Sequence, residues 1–92
     1  IDTAGTTVNA ATAAKENGAK SVTAIATHAI LSGPAVERIK ESNISNLIVT
    51  DTLEIPEDKK MEQMKIITVS QIFGQAIQRI HTGESVSALF EF

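Results

Sequence analysis

Apolar positions recur along the chain with two alternating rhythms, and each rhythm predicts its own kind of element. From Thr6 to about Asn17 the run TTVNAATAAKEN is alanine-rich, places Val8, Ala11 and Ala14 on one stripe, and stops at Gly18. Glycine accepts a positive φ cheaply, so this run predicts a helix with a defined end. SVTAIA (Ser21–Ala26) then predicts a short buried strand. After the loop THAILSG, Gly33-Pro34 opens a second helix, because the missing N–H of proline costs nothing in a first turn. Val36 and Ile39 supply its apolar side, and it fades near Glu41-Ser42-Asn43.

Asn46-Leu47-Ile48-Val49-Thr50 is the clearest strand: apolar, β-branched and bounded by polar residues. The charged stretch EIPEDKKMEQM, with Pro56 inside it, predicts an exposed, solvated connection to a third strand, KIITV (Lys65–Val69). Ser70 is expected to cap a helix that carries Ile72, Phe73, Ala76, Ile77 and Ile80 on one face. Gly74 weakens that helix slightly and Gly83 ends it. The tail ESVSALFEF is short and partly apolar and is expected to dock. Helix, strand, helix, strand, strand, helix predicts parallel crossover units, an α/β sheet covered on both faces. In such folds a ligand loop joins the carboxyl end of a strand to the next helix. On that logic Ile1 is the last residue of a strand, and the domain is expected to lack its first strand.

Composition narrows the function classes. Ninety-two residues make one modest domain, able to bury roughly 60–65% of its unfolded surface. Hydrophobic residues make up 42% and charged residues 21%, as in ordinary globular domains. No signal peptide or membrane-spanning run is visible. Cysteine is absent, which removes disulfides and thiolate metal sites and fits the cytoplasm. Eight Lys+Arg against eleven Asp+Glu give a net charge of −3, and three Phe are the only aromatic residues. Such a chain lacks both the basic field and the stacking surface of a nucleic-acid binder.

The candidate chemistry lies at Asp2-Thr3-Ala4-Gly5-Thr6, immediately before the first helix. Gly5 would admit a backbone conformation other residues avoid and a close approach to a ligand. The free N–H groups of a helix's first turn favour an anion. Thr3, Thr6 and Thr7 add hydroxyl donors, and Asp2 could accept from a sugar hydroxyl or act through a bound metal. Plain N-capping explains the same residues, and both readings stand at this point. His28, beyond a predicted strand end, reads as a structural hydrogen-bonder. His81 reads as a favourable cation in a helix's last turn. Asp51 and Thr52 fit either a cleft or an ordinary turn. No catalytic triad, Walker loop or metal-ligand spacing is present.

IDTAGT, KENGAKSVTAIATHAILSGPAVERIKES, LIVTDT and AIQRIHTGESVSALF together closely resemble the carboxyl-terminal part of the ribose-phosphate pyrophosphokinase (PRPP synthetase) family, over nearly the whole chain. The resemblance implies a three-layer parallel α/β sheet of the type I phosphoribosyltransferase kind, here lacking its first strand or strands, with residues 1–92 forming part of that domain. It implies transfer of diphosphate from ATP to the anomeric hydroxyl of ribose 5-phosphate, with magnesium, in a cytoplasmic homo-hexamer. The loop matching Asp2, Thr3, Ala4, Gly5 and Thr6 would bind ribose 5-phosphate. Ser85 and Ser87 could contribute hydroxyls to a regulatory ADP or phosphate site; a tail that only packs is the competing reading. The family's acidic pair, ATP-binding residues, metal-binding histidine and catalytic lysine and arginine match nothing in these residues. The 92-residue polypeptide is therefore expected to be inactive by itself, with the magnesium ligands outside this chain. No nucleic-acid or membrane partner is expected. A non-catalytic, PRPP synthetase-associated regulatory homologue is the alternative. A phosphoribosyltransferase that consumes PRPP is disfavoured by SGPAVERI and GESVSALF, and an autonomously folding module describes the polypeptide better than its parent.

Overall fold

The computed structural model describes residues 1–90; Glu91 and Phe92, the end of the tail expected to dock, lie outside the described residues. Three strands form one sheet in the order β1 (Thr23–Ala26), β2 (Asn46–Thr50), β3 (Met64–Ile67), all parallel. Ala24 lies opposite Leu47 and Ala26 opposite Val49, while Leu47 and Val49 in turn face Met64 and Ile66. Because strand side chains alternate, these six residues share one face of the sheet, and Ile25, Ile48 and Ile67 share the other.

The first face holds the core. Leu47 and Val49 are fully buried there and cluster with Ala11 of α1 (Gly5–Glu16) and with Ala35 and Ile39 of α2 (Ala35–Lys40). Leu31 and Ile44 come from the loops. Alanines at the helix contacts keep α1 close to its neighbours, and each fully buried Leu, Ile or Val contributes roughly 1.5–3 kcal/mol. The helix ends obey local rules. After α1, the Gly18 N–H donates to Lys15 O (3.1 Å) and the Ala19 N–H to Ala14 O (3.0 Å), with Gly18 at φ 98°. That is a Schellman closure. Gly83, at φ 79°, closes α3 (Ser70–Thr82) the same way through the Glu84 N–H on Arg79 O.

Three expectations need correction. First, the stretch EIPEDKKMEQM is not simply solvated. It carries a 3-10 turn at Glu57–Lys59, and it brings Met61 into the core and Ile55 against it. The hydrophobic residues scattered among its charges are what anchor it. Second, Ser70 is the first residue of α3 and makes no side-chain cap; its own N–H donates to Thr68 Oγ1. Third, the sheet has helices against only one face among the described residues. Ile25 is 75% exposed on the other face, and the apolar stripe of α3 is open, with Ile80 at 71%. Among the described residues, α3 packs mainly against the 3-10 turn Ser87–Phe90. The molecule is accordingly long, 51 × 30 × 19 Å. No helix among the described residues is long and apolar enough to cross a membrane.

Candidate functional site

The carboxyl ends of the strands gather the chemistry. Just beyond β1, residues 28–32 run beside residues 1–2. The Ile1 nitrogen donates to His28 O (2.9 Å), and the Ile30 and Leu31 N–H groups donate to Ile1 O (3.0 and 3.1 Å). The Ser32 N–H donates to Asp2 O (2.9 Å). Donation from Ile1 to 28 and from 30 back to Ile1 is the alternation of a parallel ladder centred on Ala29. A side-chain tie adds to it, as the Ser32 hydroxyl donates to the Asp2 carboxylate.

The loop Asp2–Thr6 leaves this ladder and turns into α1. Ala4 makes the turn: it is buried, it adopts the left-handed conformation at φ 67°, and it offers no side-chain cap to the helix. A left-handed alanine costs about 1–2 kcal/mol, so the surrounding contacts must hold it there. Gly5 itself is an ordinary helical residue without positive φ. The expectation that Gly5 supplies the unusual backbone is thus corrected; its neighbour does. What the glycine leaves open is space, because a Cβ there would touch Arg38 Nη1 at 3.4 Å.

The first helical hydrogen bond is Val8 N–H to Ala4 O (2.9 Å). The N–H groups of Gly5, Thr6 and Thr7 have no backbone acceptor among the described residues, and the hydroxyls of Thr3, Thr6 and Thr7 make no hydrogen bond there. Thr3 and Thr6 are exposed. Free amides and free hydroxyls therefore share one end of α1, where the helix dipole favours negative charge. Neither Ala4 nor Asp2 satisfies those amides as a plain cap would. Beneath the loop, Arg38 of α2 donates from Nη1 to Thr3 O (3.1 Å).

The other candidates are placed more simply. The ring of His28 shares a 2.7 Å hydrogen bond with Thr52 Oγ1, and the Thr50 and Thr52 hydroxyls both donate to Thr27 O. This network ties the ends of β1 and β2 together. The Asp51 carboxylate accepts the Val69 N–H (2.8 Å). That bond, with the Thr68 hydroxyl beside it, holds the Asp51 pKa below the usual aspartate value. Asp51 therefore organises the turn from β3 into α3. Ser85 and Ser87 lie beyond the far end of α3, with their hydroxyls 2.7 Å apart; Arg79 donates to Ser85 O and pairs with Glu84 at 3.7 Å. No hydrogen bond links them to the loop at Asp2–Thr6. The described residues bring no three His, Asp or Glu side chains together as a metal-holding group.

Sequence reasoning missed Arg38 and Ser32 as loop partners and Ala4 as the strained residue. LSGPAVERI contains the first two, but only the fold brings them alongside residues 2–3. Alanine gives no sign of a left-handed conformation.

Comparisons with known proteins cover nearly the whole chain. The family described as phosphoribosyl synthetase-associated domain matches residues 1–91. The ribose-phosphate pyrophosphokinases of Caldanaerobacter subterraneus subsp. tengcongensis and of Bacillus subtilis are each 53% identical over 90 residues, covering 98% of this chain and 28% of theirs. The crystal structure of phosphoribosylpyrophosphate synthetase from Mycobacterium smegmatis superposes with a TM-score of 0.88 at 37% identity. That match covers 90% of this chain and 28% of that one. The chain thus spans little more than a quarter of the length of the relatives it matches.

Proposed function

The chain belongs to the phosphoribosyl synthetase-associated domain family, and from that premise we propose that it is the part of a ribose-phosphate pyrophosphokinase that grips ribose 5-phosphate. The observation that carries the reading is the loop Asp2–Thr6. A left-handed Ala4 opens α1 so that three backbone N–H groups and three threonine hydroxyls are free at the carboxyl edge of a parallel sheet.

A phosphate monoester suits that end chemically. The amides of Gly5, Thr6 and Thr7 donate to its oxygens, the helix dipole favours its charge, and the hydroxyls of Thr3 and Thr6 add donors. The Asp2 carboxylate, oriented by Ser32, accepts from a ribose hydroxyl. Anchoring the 5-phosphate fixes the anomeric oxygen in line for attack on the β-phosphorus of ATP, and positioning supplies much of the rate in such transfers. The bond formed is anomeric oxygen to β-phosphorus, and AMP leaves. Magnesium would supply charge neutralisation on the triphosphate. The described residues bring no three His, Asp or Glu side chains together; the family resemblance, on this reading, assigns the magnesium ligands to other parts of the parent protein, and no step here runs through it. On this reading the parent acts as a cytoplasmic homo-oligomer, a hexamer as in the family it resembles, and Ser85 and Ser87 remain candidates for a regulatory ADP or phosphate site. The 92 residues alone are inactive.

The test is steady-state kinetics on the full-length polypeptide carrying these residues. Thr6→Val is expected to raise KM for ribose 5-phosphate about tenfold, since one lost hydrogen bond to a charged group corresponds to that order, with KM for ATP little changed. An unchanged KM for ribose 5-phosphate would sink the reading. Binding of ribose 5-phosphate without PRPP formation would instead favour the non-catalytic homologue. The isolated 92 residues, given ATP, magnesium and ribose 5-phosphate, are expected to form no PRPP.

A further inference from the structure

Arg38 is a basic side chain that hydrogen-bonds to the loop, and it does so from another element. It sits on the exposed side of α2, yet its guanidinium reaches across to the Thr3 carbonyl at 3.1 Å. Among the described residues it enters no salt bridge: the pairs present join Lys60 to Glu57 and Arg79 to Glu84. Its charge is therefore not neutralised by a protein carboxylate within bonding distance. The same Nη1 lies 3.4 Å from where a Cβ on Gly5 would stand, so it is packed against the first residue of α1.

The Thr3 carbonyl immediately precedes Ala4, the left-handed residue whose conformation costs energy. Fixing that carbonyl fixes the peptide plane between Thr3 and Ala4, and with it the direction in which the chain enters α1. Asp2 is held on the other side by Ser32, through both its carbonyl and its carboxylate. The loop is thus pinned from α2 at Thr3 and from the β1–α2 connection at Asp2, while its own donors stay free.

We propose that Arg38 is a positioning residue for the anion loop: it braces the Thr3–Ala4 peptide in the phosphate-receiving conformation and adds unpaired positive charge beneath it. This rests on the ribose 5-phosphate reading of the loop. Because the arginine acts through the loop, its loss weakens capture of the sugar phosphate more than it slows the bound complex. Either half of its action is retained by a conservative replacement. Lysine keeps the charge and one donor, and glutamine keeps a donor without the charge.

The experiment uses the full-length polypeptide, with Arg38→Met, Arg38→Gln and Arg38→Lys compared with the parent and with Thr6→Val. Arg38→Met is expected to raise KM for ribose 5-phosphate about three- to tenfold, the range set by one exposed charge-assisted hydrogen bond. KM for ATP and kcat should stay within about twofold on the same scale. Arg38→Lys should recover most of the loss and Arg38→Gln part of it. Since the side chain is exposed, thermal melting of each variant should stay close to the parent, which separates a local brace from general unfolding. The proposal is overturned if Arg38→Met leaves KM for ribose 5-phosphate at the parent value while Thr6→Val raises it. It is also overturned if both KM values rise together with a falling melting temperature. If the parent neither binds nor turns over ribose 5-phosphate, or Thr6→Val has no effect on that binding or KM, the loop reading itself fails and this proposal fails with it.

Discussion

At Ala4 a small side chain occupies a backbone conformation usually left to glycine, and its methyl group is buried in the core. These two demands conflict for nearly every other residue. Glycine would relieve the backbone but lose the contact, and a β-branched residue would meet severe strain at positive φ. Ala4→Val is therefore expected to destabilise the fold by about 2–3 kcal/mol, combining left-handed strain with overpacking. Chemical denaturation of the full-length polypeptide checks this, and a change below about 0.5 kcal/mol would mean that the loop relaxes freely. Gly5, by contrast, has ordinary backbone, so its value lies in the open space beside Arg38.

At the scale of elements, the sheet and its helices follow from local pattern, while their caps depend on partners distant in sequence. Asn46–Thr50 is a strand with the expected bounds because its alternation and polar flanks agree. The first helix is shifted by one residue and ends in the glycine closure its sequence announces. The α3 start is different. Its turn is held by Asp51, eighteen residues earlier, on the Val69 N–H, and no periodicity within α3 can reveal that. The same holds for Met61, whose burial depends on the crossover it belongs to rather than on its charged neighbours. The run Asp2–Thr6 could be singled out from sequence as a candidate loop, but its contact with Arg38 could not, since Arg38 and Thr3 lie 35 residues apart.

The Asp51 contact also sets a pH dependence. Its pKa is depressed in the folded state, first by the Val69 N–H and then by the Thr68 hydroxyl. A depressed carboxylate stabilises the fold above its unfolded pKa, and that contribution is lost as pH falls through the folded value. The Asp51 carboxyl carbon should accordingly titrate below the usual aspartate midpoint in an NMR experiment. Asp51→Asn should flatten this acid-side loss of stability; a normal midpoint would remove Asp51 from the turn.

For the whole molecule, the radius of gyration of 16.4 Å exceeds the roughly 12 Å of a compact chain of this length. The excess arises because α3 stands apart with Ile72, Phe73, Ile77 and Ile80 exposed, while Ile25 and Ile67 lie open on the sheet. Contiguous apolar surface of this kind is uncommon on a lone domain. The isolated 92-residue polypeptide should therefore bind an apolar fluorescent dye, and Ile77→Lys with Ile80→Lys should cut that signal substantially. Equal fluorescence from both would mean that the stripe is covered in solution.

The strand order carries one more consequence. Among the described residues β2 bonds to a neighbour on each side, whereas β1 and β3, of four residues each, bond on only one. Local opening is cheapest where the fewest bonds break, so the edges fray before the centre. The Thr50 and Thr52 hydroxyls fasten the Thr27 carbonyl to the end of β2, and Thr27 leads directly into the segment that holds residues 1–2. The loop at Asp2–Thr6 is thereby moored to the last strand to open, and it can keep its shape through fluctuations that release the edges around it.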